Sequence, residues 1–202
     1  MIELTTRDAM SNAAPLFARL TPLHLSVAAV LAGTIEGGIW VDRPRDPRVG
    51  LAFTPEGSYL AGDPQAKYTF AALRELIPTP AYLIVEPAGW VAVLDQVWNN
   101  RFARPHARRT YRLHTLHRVD WRDRLPNGYS AVAIDRNFWA RTDLRGLEDI
   151  TSRYDAWPSH GAFVEQNFGV CILQDGAIIS HAIADCVVGD RCELGVGTHP
   201  AH

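Results

Sequence analysis

Hydrophobic positions in the first third of the chain recur at two spacings. Between Ala9 and Ala32 the residues Leu16, Phe17, Leu20, Leu23, Val27, Val30 and Leu31 follow a helical interval, which Pro15 and Pro22 divide into pieces. Asn12 and Thr21 are the N-cap candidates. Gly33 to Gly38 ends this pattern, and Gly38–Asp42, Val49–Phe53 and Ser58–Ala61 predict three short strands joined by Pro- and Gly-bearing turns, an antiparallel meander. Asp63-Pro64 predicts a helix through Leu76, because proline at the first helical position forgoes only an amide that would have no partner. Ala81–Glu86 predicts an apolar strand, and Trp90–Trp98 a short amphipathic helix carrying Val91, Leu94 and Val97.

The second half begins differently. Arg101–Arg124 holds eight arginines and three histidines against Asp120 and Asp123, with Tyr111, Leu113 and Leu116 alternating among them. That alternation predicts an edge strand with a cationic outer face. The charged, turn-forming run from Arg118 to Asn127 predicts a linker, dividing the chain into 1–122 and 123–202. A strand at Tyr129–Ile134, a helix at Arg136–Leu147 and helical character at Trp157–Gln166 follow. Phe168–Gly176 and Ala177–Ala182 predict a hairpin, and Glu193–Pro200 a final strand. Both halves are thus of mixed α/β pattern.

The order of these segments resembles GNAT-type acyl-CoA N-acetyltransferases. Phe168–Gly176 with Ala177–Ala182 is similar to that family's central hairpin, and Glu-x-x-Val-x-Thr-x-Pro at Glu193–Pro200 to its fourth strand. Leu31-Ala32-Gly33, Gly38–Asp42 and Tyr59–Asp63 resemble the leader region of the zwittermicin A acetyltransferase-like subgroup. The resemblance implies a mostly antiparallel sheet flanked by helices in each half, the C-terminal half carrying the activity. It also implies acetyl-CoA as co-substrate and the amine of a small molecule, an antibiotic or metabolite, as acceptor. Backbone groups at Val196 and Thr198 would hold the pantetheine arm, and Glu193 would act as the base. The phosphate-cradling Arg/Gln-x-x-Gly-x-Gly/Ala segment would follow His202, so a chain truncated before the pyrophosphate loop is expected. The alternative is a non-catalytic binding or interaction protein that keeps the sheet without the cofactor site.

Composition narrows the setting. With 47% hydrophobic residues and a formal charge of -2, the 202-residue chain supports a sizeable core and has no global field favouring nucleic acid or membrane. Its start, Met1-Ile2-Glu3-Leu4-Thr5-Thr6-Arg7-Asp8, lacks the layout of a signal peptide, so a cytoplasmic protein is expected. The apolar edge of the last strand makes a homodimer an expected partner.

The remaining candidates for chemistry carry simpler explanations. Cys171, Cys186 and Cys192 match no zinc or disulfide spacing and are expected to be buried thiols. Ser180, His181 and Asp185 suggest a triad, but consecutive strand residues point to opposite faces, which separates Ser180 from His181. His114-x-x-His117 and His199-x-x-His202 fail as metal sites for the same reason. The Arg101–Arg124 cluster fits a solvated edge better than a nucleic-acid surface, and the six tryptophans fit core anchors.

Overall fold

Short apolar strands alternate with short helices, and the chain sorts them into two sheets. The computed structural model describes residues 1–98, 103–111, 113–115, 124–151, 157 and 159–202. The fold is mixed α/β with mostly antiparallel strands flanked by helices. Two units divide it, Met1–His106 with Val188–Arg191, and Ala107–Val187 with Cys192–His202.

In the first unit the sheet order is β1 (Ile2–Leu4), β2 (Gly38–Val41), β3 (Val49–Thr54), β4 (Gly57–Gly62) and β5 (Leu83–Glu86). The pairings β1–β2, β2–β3 and β3–β4 are antiparallel, whereas β5 lies parallel to β4 from Ser58↔Leu83 to Ala61↔Glu86. The parallel pair requires a crossover, which α3 (Phe70–Leu76) supplies. Both faces of β3 are covered, which is why its residues Val49 to Ala52 are all buried. On one face Val49, Leu51 and Leu60 pack with Phe70, Leu73, Trp90, Val93 and, from α4 (Leu94–Val97), Val97. On the other, Gly50 meets Leu16 and Phe17 so closely that a Cβ there would stand 2.7 Å from Leu16 Cδ2. The same face receives α2 (Leu25–Ala32), whose Ser26 hydroxyl lies 3.3 Å from the buried Tyr59 hydroxyl.

The second unit repeats this plan. β6 (Tyr129–Ala133), the helices α5 (Arg136–Trp139), α6 (Leu147–Thr151) and α7 (His160–Gln166), and then β7 (Gly169–Gln174), β8 (Ala177–Val188) and β9 (Arg191–Thr198) form a sheet ordered β6-β7-β8-β9. A strand, helices and three further strands therefore occur in the order of β1 to β4, and β9 corresponds to β4. Gly169, Cys171 and Leu173 turn inward with Ile183, while Phe163, Ile150 and Trp157 are buried in the same unit. On the opposite face no described element packs over Val170, 43% exposed, or Val196, 69% exposed.

Several expectations change. Thr6, not Asn12, caps α1 (Arg7–Ala13) by accepting the Ala9 amide, and α2 starts after His24 without a side-chain cap in place of Thr21. The helix expected from Pro64 begins at Phe70 after a single 3₁₀ turn, because the Asp63 carboxylate folds 63–66 into a turn by accepting the Gln65 amide. The helix expected to Leu147 stops at Trp139. Arg145 gives its backbone to the start of β8 instead, donating to Gly176 and accepting from Ile178. The edge strand expected between Arg101 and Arg124 is not present at 103–111 or 113–115, where Tyr111 is 82% exposed and pairs with no strand. Most of the expected linker, with His117 and Trp121, lies outside the described residues.

Candidate active site

Three contacts set the backbone of β9 against β8. The His199 amide donates to the Ile179 carbonyl at 2.7 Å, and the Ser180 hydroxyl donates to the Gly197 carbonyl at 2.9 Å. The Ser180 and Thr198 hydroxyls lie 3.1 Å apart. In an antiparallel ladder the N–H and C=O of one residue point to the same side, and successive residues alternate. His199 and Gly197 therefore turn their backbone groups to β8, while Val196 and Thr198 turn theirs to the other side. Among the described residues no strand pairs with that side.

The corresponding edge in the first unit is filled. There β4 takes β5 over four register pairs, and the loop after β4 spends its amides on itself. Ala66 donates to the Asp63 carbonyl, Gln65 to the Asp63 carboxylate, and Thr69 to the Ala66 carbonyl. Of two equivalent strands, one edge is closed by an extended segment and the other has no strand beside it among the described residues.

Side chains on β9 alternate between the faces. Leu194 and Val196 are 56% and 69% exposed on the bare face together with Thr198. Glu193 shares the other face with Gly195 and Gly197 and is half-buried. The structure thus brings Glu193, Val196 and Thr198 onto one strand, yet sends the Glu193 carboxylate to the face opposite the Val196 and Thr198 side chains. Glu193 and Val196 are separated by about 10 Å along the strand.

Two neighbours of this strand were not among the predicted site residues. The Cys186 thiol of β8 donates to Glu193 Oε2 at 3.7 Å, and the His181 imidazole lies against Gly197. The first was within reach of the sequence: counting outward from Gly189-Asp190 as a two-residue turn puts residue 186 opposite 193. Ser180 and His181 leave β8 on opposite faces, one meeting Thr198 and the other Gly197, so they form no nucleophile–base pair.

Of the thiols, Cys171 and Cys186 are buried, but Cys192 is exposed, contrary to expectation, because it stands at the open start of β9. Burial pushes the Cys171 thiol up to about 12, which leaves it protonated and inert at neutral pH. The His199 and His202 rings are 5.9 Å apart, and each is engaged within the protein: Nδ1 of His199 accepts the Ala201 amide, and Nδ1 of His202 bonds the Tyr129 hydroxyl at 3.0 Å. Among the described residues no three His, Cys, Asp or Glu side chains cluster as a metal site, and no helix is long and apolar enough to cross a membrane.

Comparison with known proteins bears on the family and the fold. A family model described as GNAT acetyltransferase matches residues 15–202. A crystal structure of a GCN5-related N-acetyltransferase-like protein from Streptococcus suis superposes with a TM-score of 0.71 at 21% identity, covering 98% of this chain and 78% of that one. At that identity the likeness concerns the fold. No curated protein matches the chain.

Proposed function

Because this chain belongs to the GNAT acetyltransferase family, an acyltransferase family, we propose that it moves an acetyl group from acetyl-CoA to the amine of a small molecule. An amino-bearing antibiotic or metabolite is the acceptor class. The observation that carries this reading is the open edge of β9. The Val196 and Thr198 backbone groups are aimed at a side where the equivalent strand of the first unit accepts an extended segment. The pantetheine arm has amides of its own and is suited to such an edge.

Acetyl-CoA supplies the activated carbonyl. Val196 and Thr198 hold the arm through backbone hydrogen bonds, and Glu193 receives the proton of the attacking amine, directly or through one water. The new N–C bond forms as the C–S bond breaks, and the sulfur leaves as a thiolate that takes up a proton. Calorimetry with acetyl-CoA tests the binding half; absence of heat at millimolar acetyl-CoA would defeat the reading. The chemical half is tested by Glu193→Gln, which is expected to leave binding intact and lower kcat by about 10²- to 10⁴-fold.

A second reading draws on the bare face of the second sheet. Phe168, Val170, Leu194 and Val196 are all more than two-fifths exposed there, which suits a non-catalytic interaction protein. A chain that binds no acetyl-CoA but self-associates on sedimentation would favour it.

A further inference from the structure

We propose that Cys186 is a positioning residue for Glu193: its thiol holds the carboxylate in place on the inner side of β9. This inference rests on the reading of Glu193 as the base. Its ground is the cross-strand contact, with the sulfur 3.7 Å from Glu193 Oε2 and within range for a thiol donor. Cys186 is 1% exposed, so the donor is fixed by the sheet and not by a mobile surface group. Glu193 is half-buried and shares its face of β9 with Gly195 and Gly197. A long carboxylate at such a position samples several rotamers unless something holds it. A buried thiol packs as a small apolar side chain and still donates a weak hydrogen bond.

The chemistry favours a weak donor. A strong donor to the charged carboxylate makes it a poorer base, whereas a thiol orients it at little cost in basicity. The ionisable neighbours along the hairpin are His181, whose imidazole lies against Gly197 on the Glu193 face, Asp185, next to Cys186 on β8, Asp190 in the turn, and Arg191 and Cys192, which precede Glu193 on β9.

The test compares Cys186→Val, which keeps the bulk and removes the donor, with Cys186→Ser, which keeps a donor. Steady-state rates with acetyl-CoA and an amine panel are measured from pH 5 to 9, alongside acetyl-CoA affinity by calorimetry. Cys186→Val is expected to lower kcat about 3- to 10-fold with unchanged affinity and to move the acid limb of kcat/KM upward, because removing a donor raises the carboxylate pKa. Cys186→Ser should restore most of kcat and move that limb down. If Glu193→Gln abolishes turnover while Cys186→Val leaves kcat and the pH profile unchanged, the positioning role is wrong and the base stands. If Glu193→Gln has no effect, both are wrong. Should Cys186→Val fold poorly, the Glu193 carboxyl shift in Cys186→Ser, followed by carbon NMR titration, decides: a value equal to that of the unsubstituted chain overturns the proposal.

Discussion

His181 of β8 and Gly197 of β9 form a cross-strand pair in which one residue needs the other to have no side chain. A Cβ at position 197 would stand 2.5 Å from His181 Cε1 and 2.8 Å from Nε2, inside any permitted contact. Gly197→Ala must therefore push the imidazole out of its place, because β9 is held at this point by its bond to Ser180. We expect a loss of about 1–2 kcal/mol, seen as a fall in Tm of roughly 4–15 °C for the second unit. His181→Ala in the same background should recover most of it. A double variant no more stable than Gly197→Ala alone would mean that the ring is not the obstacle.

Asp42 organises the turn between β2 and β3. Its carboxylate accepts the Arg48 amide at 2.9 Å, the Val49 amide at 3.0 Å and the Tyr68 hydroxyl at 2.6 Å, and its side chain is 2% exposed. Burial opposes ionisation, but these donors together with Arg43 outweigh it and hold the pKa below the usual carboxylate range. A lowered folded-state pKa stabilises the fold above the unfolded value of about 3.9, and that stability is lost as pH falls through the folded value. Asp42→Ala should cost about 2 kcal/mol at pH 7 in urea unfolding of the first unit. The gap between variant and unsubstituted chain should narrow between about pH 4 and pH 2. A gap that stays constant over that range would show that the charge of Asp42 is not what matters.

The strands were the legible part of this fold. β2 to β7 and β9, and β8 as far as Ala182, each combine β-type composition with a glycine or proline at a turn, and both signals are local. What was missed depended on distant partners. Ile2–Leu4 is too short to show a period, and becomes a strand only by pairing with Ile39–Val41. The end of α5 is set by Arg145 reaching Gly176 and Ile178, some thirty residues on. The alternation around Tyr111 and Leu113 had the right period and no partner, so no strand forms there among the described residues. At the candidate site, the alternation of Glu193, Val196 and Thr198 along β9 was readable. The outward turn of the backbone at Val196 was not, since it depends on which residue of β8 faces which residue of β9.

Trp90 ties the second half of the first unit to its sheet. It is fully buried among Phe70, Leu73 and Val93, and its indole N–H donates to the Gly62 carbonyl at 3.1 Å, just where β4 ends. Gly62 itself sits at φ +100°, with the Arg48 carbonyl where a Cβ would be, so the chain can turn there only without a side chain. Trp90→Phe should cost about 1–2 kcal/mol, the hydrogen bond and part of the ring. Trp90→Ala should cost about 3–5 kcal/mol, which is a large part of the stability of a unit this size. Equal losses in the two variants, measured by urea unfolding, would mean that packing contributes little and the hydrogen bond nearly everything.

The backbone reading of β9 yields a test that separates the strand edge from its side chains. Val196 directs its amide away from β8, and proline is tolerated in an edge strand where the missing N–H faced outward. Val196→Pro should therefore fold, with a modest fall in Tm, while removing one donor from the open edge. If the pantetheine arm pairs with that edge, acetyl-CoA affinity should fall about tenfold in Val196→Pro, as expected for a lost hydrogen bond in a partly desolvated site. Val196→Ala keeps the amide and should bind within about twofold of the unsubstituted chain, because the valine side chain lies on the bare face. Gly197→Pro, by contrast, removes an amide that faces β8 and should unfold the hairpin. Val196→Pro binding acetyl-CoA as tightly as Val196→Ala would place the arm elsewhere on the unit, and the role given to Glu193 would then have to be reconsidered from the new position.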